Sequence, residues 1–259
     1  MKRSVNGLAA AGIIYRAKNP SQIFIEVKDD GHPIKHARRK MCFIGGNWIG
    51  ENAKEDKSPY DTYHRELNEE ISFERPMRNS LDYVLLGVAL EENFAPTSAP
   101  TVKPTELEKE MLSYLKKKMT IFANPFGDYV NTVTIYALNK ADPDNKREGF
   151  SSLTSYWQVG LNEEDWTILE SLQKKFNNLS NESLTLITSL EEILAHRIKS
   201  SFSHDRVLAD FFLSKNLIAG KNIPMVSQVF SEFVGTPLVD YKLYLEKYNV
   251  ARHPLNSVL

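Results

Sequence analysis

Apolar positions divide this chain into two regimes. Up to residue 188 they come as short runs and two-residue alternation between polar turns, which marks strands with a few helices among them. From Leu190 onward they recur mostly at helical spacing. Residues 7–17 are apolar enough for a buried strand, and residues 22–28 alternate through Ile23, Ile25 and Val27 as a half-buried one. A short strand over 40–44 runs into Gly45-Gly46. Ser58-Pro59 opens a helix, with Ser58 as the cap, Pro59 at the first helical position and Asp61 completing a capping box. Tyr60, Tyr63, Leu67 and Ile71 recur on its core face, and Glu66, Glu69 and Glu70 face away from them. Strands are expected at 81–90, 119–123, 129–139 and 184–188. Helices are expected at 105–118, on Leu107, Met111, Leu112 and Leu115, and at 163–176, 190–199, 204–214, 224–234 and 237–248. The order predicts an α/β body over residues 1–200, with a helical insertion near 105–118. A helical extension over 201–259 packs on that body or on a second copy of the chain as a homodimer.

Composition narrows the classes without choosing one. The chain has 259 residues, enough for a sizeable core, and 42% hydrophobic with 25% charged residues is ordinary for a folded domain. A net charge of −1 argues against bulk nucleic-acid binding. The single cysteine, Cys42, excludes an internal disulfide and a cysteine-based zinc site, and fits a reducing, cytoplasmic compartment. Met1-Lys2-Arg3 ahead of the apolar run 8–15 has the look of a short leader, but Arg16, Lys18 and Asn19 end the run at once, so it reads as a strand. No stretch approaches the roughly 20 apolar residues of a membrane span.

The chemistry concentrates in Arg65-Glu66-Leu67-Asn68-Glu69-Glu70-Ile71-Ser72-Phe73. On a helix, acids at i, i+3 and i+4 share one side and repel, so a cluster that folding does not need is suited to holding a cation. Oxygen donors in that number suit Mg2+ or Mn2+. An isolated acidic triplet is more often a solvated face, and the six histidines, none paired at metal-ligand spacing, read as surface or core residues. Tyr156, Trp157 and Trp166 read as core or as rings that stack a base.

Gly45-Gly46, a loop, and then the Arg65–Phe73 stretch resemble the Nudix box: Gly, five residues, Glu, seven residues, Arg-Glu-U-x-Glu-Glu-x-Gly-U, with U bulky and apolar. Leu67 and Phe73 fill the apolar positions of the second half. The chain departs from the pattern twice. Ser72 stands where the final glycine would end the helix in a left-handed conformation, and the loop from Gly46 to Arg65 is lengthened. The resemblance implies a mixed sheet sandwiched between helices and a metal-dependent hydrolase cutting a nucleoside diphosphate linked to another group. By resemblance Glu66, Glu69 and Glu70 bind Mg2+ or Mn2+ and Arg65 orients them. Gly45, Gly46 and Glu51, the last standing for the box's first glutamate, would line the substrate. Such enzymes often take a further acid from a later loop. Glu182 is in the right place, in competition with Glu163 and Glu164. The alternative is an inactive Nudix-like module that binds a nucleotide or a protein.

Overall fold

The structure, a computed structural model, describes residues 7–28, 37–48, 56–73, 102–134, 149–196, 200–202 and 204–218. The expected strand at 81–90, the helices at 224–234 and 237–248, and Glu51 lie outside the described residues.

Strands β1 (Gly7–Arg16), β2 (Asn19–Val27), β3 (Met41–Cys42), β4 (Ile44–Asn47), β5 (Ala123–Thr134), β6 (Gly149–Leu161) and β7 (Leu184–Ser189) form one mixed sheet. Its central path runs β3-β2-β1-β6-β5, with β4 also on β1 and β7 also on β2. β1 and β6 pair in parallel from Gly7 opposite Ser152 to Arg16 opposite Leu161, and the other pairs are antiparallel. Helices α1 (Pro59–Glu70), α2 (Glu106–Ile121) and α3 (Glu163–Phe176) supply the core on one face, and α4 (Leu190–His196) and α5 (His204–Ser214) on the other. The mixed sheet between helices is the α/β class expected.

Strand alternation sorts the two cores. Ala11, Ile13, Ile23, Ile25 and Val27 meet Val207, Phe211 and Phe212 of α5, while Ala10, Ile14 and Phe24 meet Tyr63 and Leu67 of α1. With helices over both faces, β2 is not half-buried as its alternation suggests. Phe24 and Glu26 are buried as fully as Ile25 and Val27, and Lys28 is buried as well. The second polar-looking face of β2 lies under α1, and this matters for the site.

Three other expectations change. The helix at 105–118 continues through Met119 to Ile121, because Met119 extends the buried stripe of Leu112 and Leu115, whereas Leu107 is exposed. Residues 124–128, between the strands expected at 119–123 and 129–139, instead belong to β5, with a register shift between Pro125 and Gly127. Proline is tolerated there because β5 is an end strand of that path. β6 had no sequence prediction at all. No helix among the described residues is long and apolar enough to cross a membrane.

Candidate active site

The site is built where α1 crosses β4. Ser58 caps the helix, its hydroxyl accepting the Asp61 N–H at 3.2 Å, and Pro59 occupies the first turn. Tyr63, Leu67 and Ile71 are buried as predicted and fix the roll of the helix. The C-terminal end is held from two directions. Lys116 of α2 donates to the carbonyls of Asn68 and Ile71, each at 2.8 Å. Ile71 then leaves the helix in extended conformation and bridges Ser180, with Ser72 N–H on Leu179 O and Asn181 N–H on Glu70 O. The left-handed residues outside glycine among those described do not include Ser72. The chain exits α1 without a left-handed turn, so no glycine is needed at 72.

β4 approaches the helix closely. Gly45 has a φ of 152°, and a Cβ there would lie 2.2 Å from the Ala10 carbonyl oxygen. A Cβ on Gly46 would lie 2.5 Å from the Glu66 carboxyl carbon. These glycines let the carboxylates of α1 rest against the strand backbone.

Arg65 organises the outer part of the cluster. Its guanidinium contacts both oxygens of Asp56 at 2.9 to 3.2 Å and the Asn47 carbonyl at 2.8 Å. The same group meets Glu66 Oε1 and Glu69 Oε2, each at 2.9 Å. The fixed fork suits these simultaneous contacts. Burial works against its charge, but the hydrogen bond to Asp56 and the charge of Glu66 hold Arg65 above even the usual arginine range. Glu66 is pushed up from the ordinary glutamate value by burial, which Arg65 opposes and the charges of Glu69 and Glu182 reinforce. Glu182 sits on the 181–183 segment, its N–H donating to the Ser180 hydroxyl oxygen at 3.2 Å. Its competitors lie elsewhere in their bonding: Glu163 is taken by Arg16 at the end of β1, and Glu164 is exposed on α3.

Glu70 departs from the expectation that all three acids face away from the core. It is buried, and Gly45 N–H donates to its Oε2 at 2.9 Å. Its Oε1 lies 3.4 Å from the ammonium of Lys28, which also donates to Glu26 Oε2 at 2.9 Å and Ser183 Oγ at 3.1 Å. Ser180 donates to the other Glu26 oxygen at 3.1 Å. The cause is the two-sided burial of β2, which sets Glu26 and Lys28 beneath α1. Burial and the charge of Glu26 push Glu70 well above the usual carboxylate range, against Lys28. Burial opposes the charge of Lys28, yet Cys42, Glu26 and Glu70 hold its pKa well above that of ordinary lysine.

The donor set fits a divalent cation in part. Each of Glu66 and Glu69 places one oxygen on Arg65, with side-chain exposures of 14% and 52%. Mg2+ is commonly held by one or two carboxylates together with substrate phosphates and water, and this pair suits that mode. Glu70 stands apart from this pair, 3% exposed, with Lys28 and the Gly45 N–H on its two oxygens. Among the described residues no three His, Cys, Asp or Glu side chains gather as a metal site.

Sequence reasoning missed three residues. Asp56, 4% exposed, is the acid that Arg65 grips, although Glu51 was the expected counterpart of the box's first glutamate. The signal was available: an acid just before a capped helix, with an arginine one face along. Glu26 and Lys28 looked like a solvent face. Of the aromatic candidates, Tyr156 and Trp166 are core, and Trp157 packs edge-on against Tyr60 at 5.4 Å. His204 is a core histidine stacked on Phe43, its Nδ1 accepting the Phe43 N–H at 3.0 Å, and burial lowers it to about 3.

No family model matches the sequence, and no curated protein matches it. Among solved structures, the chain is similar to the crystal structure of a NUDIX hydrolase from Alicyclobacillus acidocaldarius, over 94% of this chain and 96% of that one. The identity is 12% and the TM-score 0.32, a likeness too distant to bear on the site.

Proposed function

We propose that this chain is a Nudix-type hydrolase that cleaves the diphosphate link of a nucleoside diphosphate derivative, with Mg2+ or Mn2+ held by Glu66 and Glu69. The observation that supports it is the Arg65 cluster: one guanidinium, anchored by buried Asp56, aligns the carboxylates of Glu66, which lies against Gly46, and Glu69. A bound divalent cation supplies charge neutralisation at the phosphate oxygens and acidifies a water. Arg65 keeps Glu66 and Glu69 fixed before substrate arrives, so no reorganisation is needed on binding. Glu182, on the segment that follows the bridge to α1, would take the proton of the attacking water at its carboxylate. Water adds to one phosphorus, the bridging P–O bond breaks, and a nucleoside monophosphate leaves with a phosphorylated remainder.

The test is turnover with Mg2+ or Mn2+ against ADP-ribose, dinucleoside polyphosphates, nucleotide sugars, NADH and nucleoside triphosphates. One class is expected to be cleaved, and Glu66→Gln to lower kcat/KM by about 100-fold or more. No turnover of any of them, or turnover indifferent to Glu66→Gln, would sink the reading. A second reading, a module that binds a nucleotide without cutting it, is favoured by the inward commitment of Glu70. Saturable nucleotide binding with no cleavage would select it.

A further inference from the structure

Lys28 is an unusual occupant for this position. Its side chain is 10% exposed, against 0% for Glu26 and 3% for Glu70. An ammonium has three hydrogens, and the structure provides three acceptors: Glu26 Oε2, Ser183 Oγ and, most loosely, Glu70 Oε1. The remaining carboxylate oxygens are also matched, by Ser180 Oγ–H on Glu26 and Gly45 N–H on Glu70. Such a network is stable only when every member is satisfied, and here each is. The two serines sit on the segment bridged to the end of α1, so the same backbone contacts that terminate the helix fix the donors around Glu70.

We propose that Lys28 is a resident cation that takes Glu70 out of the divalent-ion site, so that this chain binds its metal through Glu66 and Glu69 alone. The proposal rests on the metal-site reading above. A cation, Arg65, also touches Glu66 and Glu69, but through one oxygen each on side chains that are 14% and 52% exposed, whereas Lys28 and the Gly45 N–H take both oxygens of Glu70 on a side chain that is 3% exposed, where a second positive charge is repelled with little screening by water. Lys28 thereby acts as a positioning residue: it sets the number of protein ligands, and with it the share of the coordination sphere left to substrate phosphates and water.

The test is titration with Mn2+ alone, followed by the electron paramagnetic resonance signal of the free ion, for the full chain and four variants. Glu66→Gln is expected to weaken Mn2+ binding by about tenfold or more, whereas Glu70→Gln changes it by less than about threefold. Lys28→Met frees Glu70 and tightens binding by about tenfold or more, and Lys28→Met/Glu70→Gln loses that gain. Glu70→Gln weakening binding as much as Glu66→Gln overturns the proposal, and so does folded Lys28→Met with unchanged affinity. If Lys28→Met does not fold, the Glu66→Gln and Glu70→Gln pair decides alone. The two readings separate in the outcome. Mn2+ binding by Lys28→Met but not by the parent overturns both, because the parent is expected to bind through Glu66 and Glu69. Parent binding that depends on both Glu66 and Glu70 overturns the proposal and leaves the hydrolase reading standing. No binding by any protein removes both.

Discussion

Two acidic clusters meet on helix α1, and each is organised by one cation. In the outer one Arg65 meets Asp56, Glu66 and Glu69, and Glu69 is half open to solvent. In the inner one Lys28 lies between Glu26 and Glu70, which are almost fully buried. Glu69 and Glu70 are adjacent in the chain, yet one lies at the surface and the other is bound inside the fold. The contrast teaches that carboxylate chemistry here is set by what lies beneath the helix. A guanidinium spreads its charge over a planar fork, so it aligns several acids and still leaves oxygens outward. An ammonium is a point charge that draws its partners in.

Removing each cation's hold separates the clusters. The largest effect is expected for Lys28→Met, which leaves buried Glu26 without its ammonium partner and strips Glu70 and Ser183 of a donor, and costs about 3–5 kcal/mol in urea unfolding. A variant as stable as the parent would break the comparison, since the inner cluster would then hold nothing together. Asp56→Asn comes next. It keeps the shape but removes the charge anchoring Arg65, and is expected to cost about 1.5–3 kcal/mol by the same measurement.

The pH response should separate the clusters further. Burial and the charge of Glu26 raise the folded pKa of Glu70 well above the ordinary glutamate value of 4.5, so its contribution is fully present below that value and is lost as pH rises through the folded pKa. The stability of the parent relative to Glu70→Gln should therefore fall with rising pH above about 4.5, by at most about 1.4 kcal/mol per pH unit. A flat difference would show that Glu70 does not ionise differently in the folded chain. The smallest effect is for Ser72→Gly. Because Ser72 is not left-handed, restoring glycine is expected to destabilise by about 0.5–1 kcal/mol through the unfolded chain's greater freedom. A gain in stability would contradict the extended exit from α1.

Much of the outer cluster could be read in the chain. The Ser58-Pro59 cap and the Tyr63, Leu67, Ile71 stripe carry local signals, and they place Arg65, Glu66 and Glu69 without knowledge of the sheet. The inner cluster depends on non-local facts. Alternation in β2 identifies one apolar face but does not say that helices cover the other. Lys28 and Ser183 are 155 residues apart, so no window of sequence contains their contact. Asp56 lies inside the lengthened loop, where the spacing of the box points to Glu51 instead. β6 escaped because Ser151, Ser152, Thr154, Ser155 and Gln158 dilute its apolar pattern, although it is paired along both edges.

The parallel pairing of β1 with β6 has a kinetic consequence. β1 is central in the sheet and precedes the other strands in the chain, yet its partner on one side arrives only with residues 149–161. The Arg16–Glu163 ion pair at the end of this ladder closes a separation of 147 residues. Topologies that depend on such distant contacts fold slowly, because loop entropy is spent before the contacts that repay it form. During synthesis β1 would emerge with a bare edge and wait for most of the body to follow. Weakening this ladder is therefore expected to act first on the yield of folded chain, before any effect on the acids of α1 is felt.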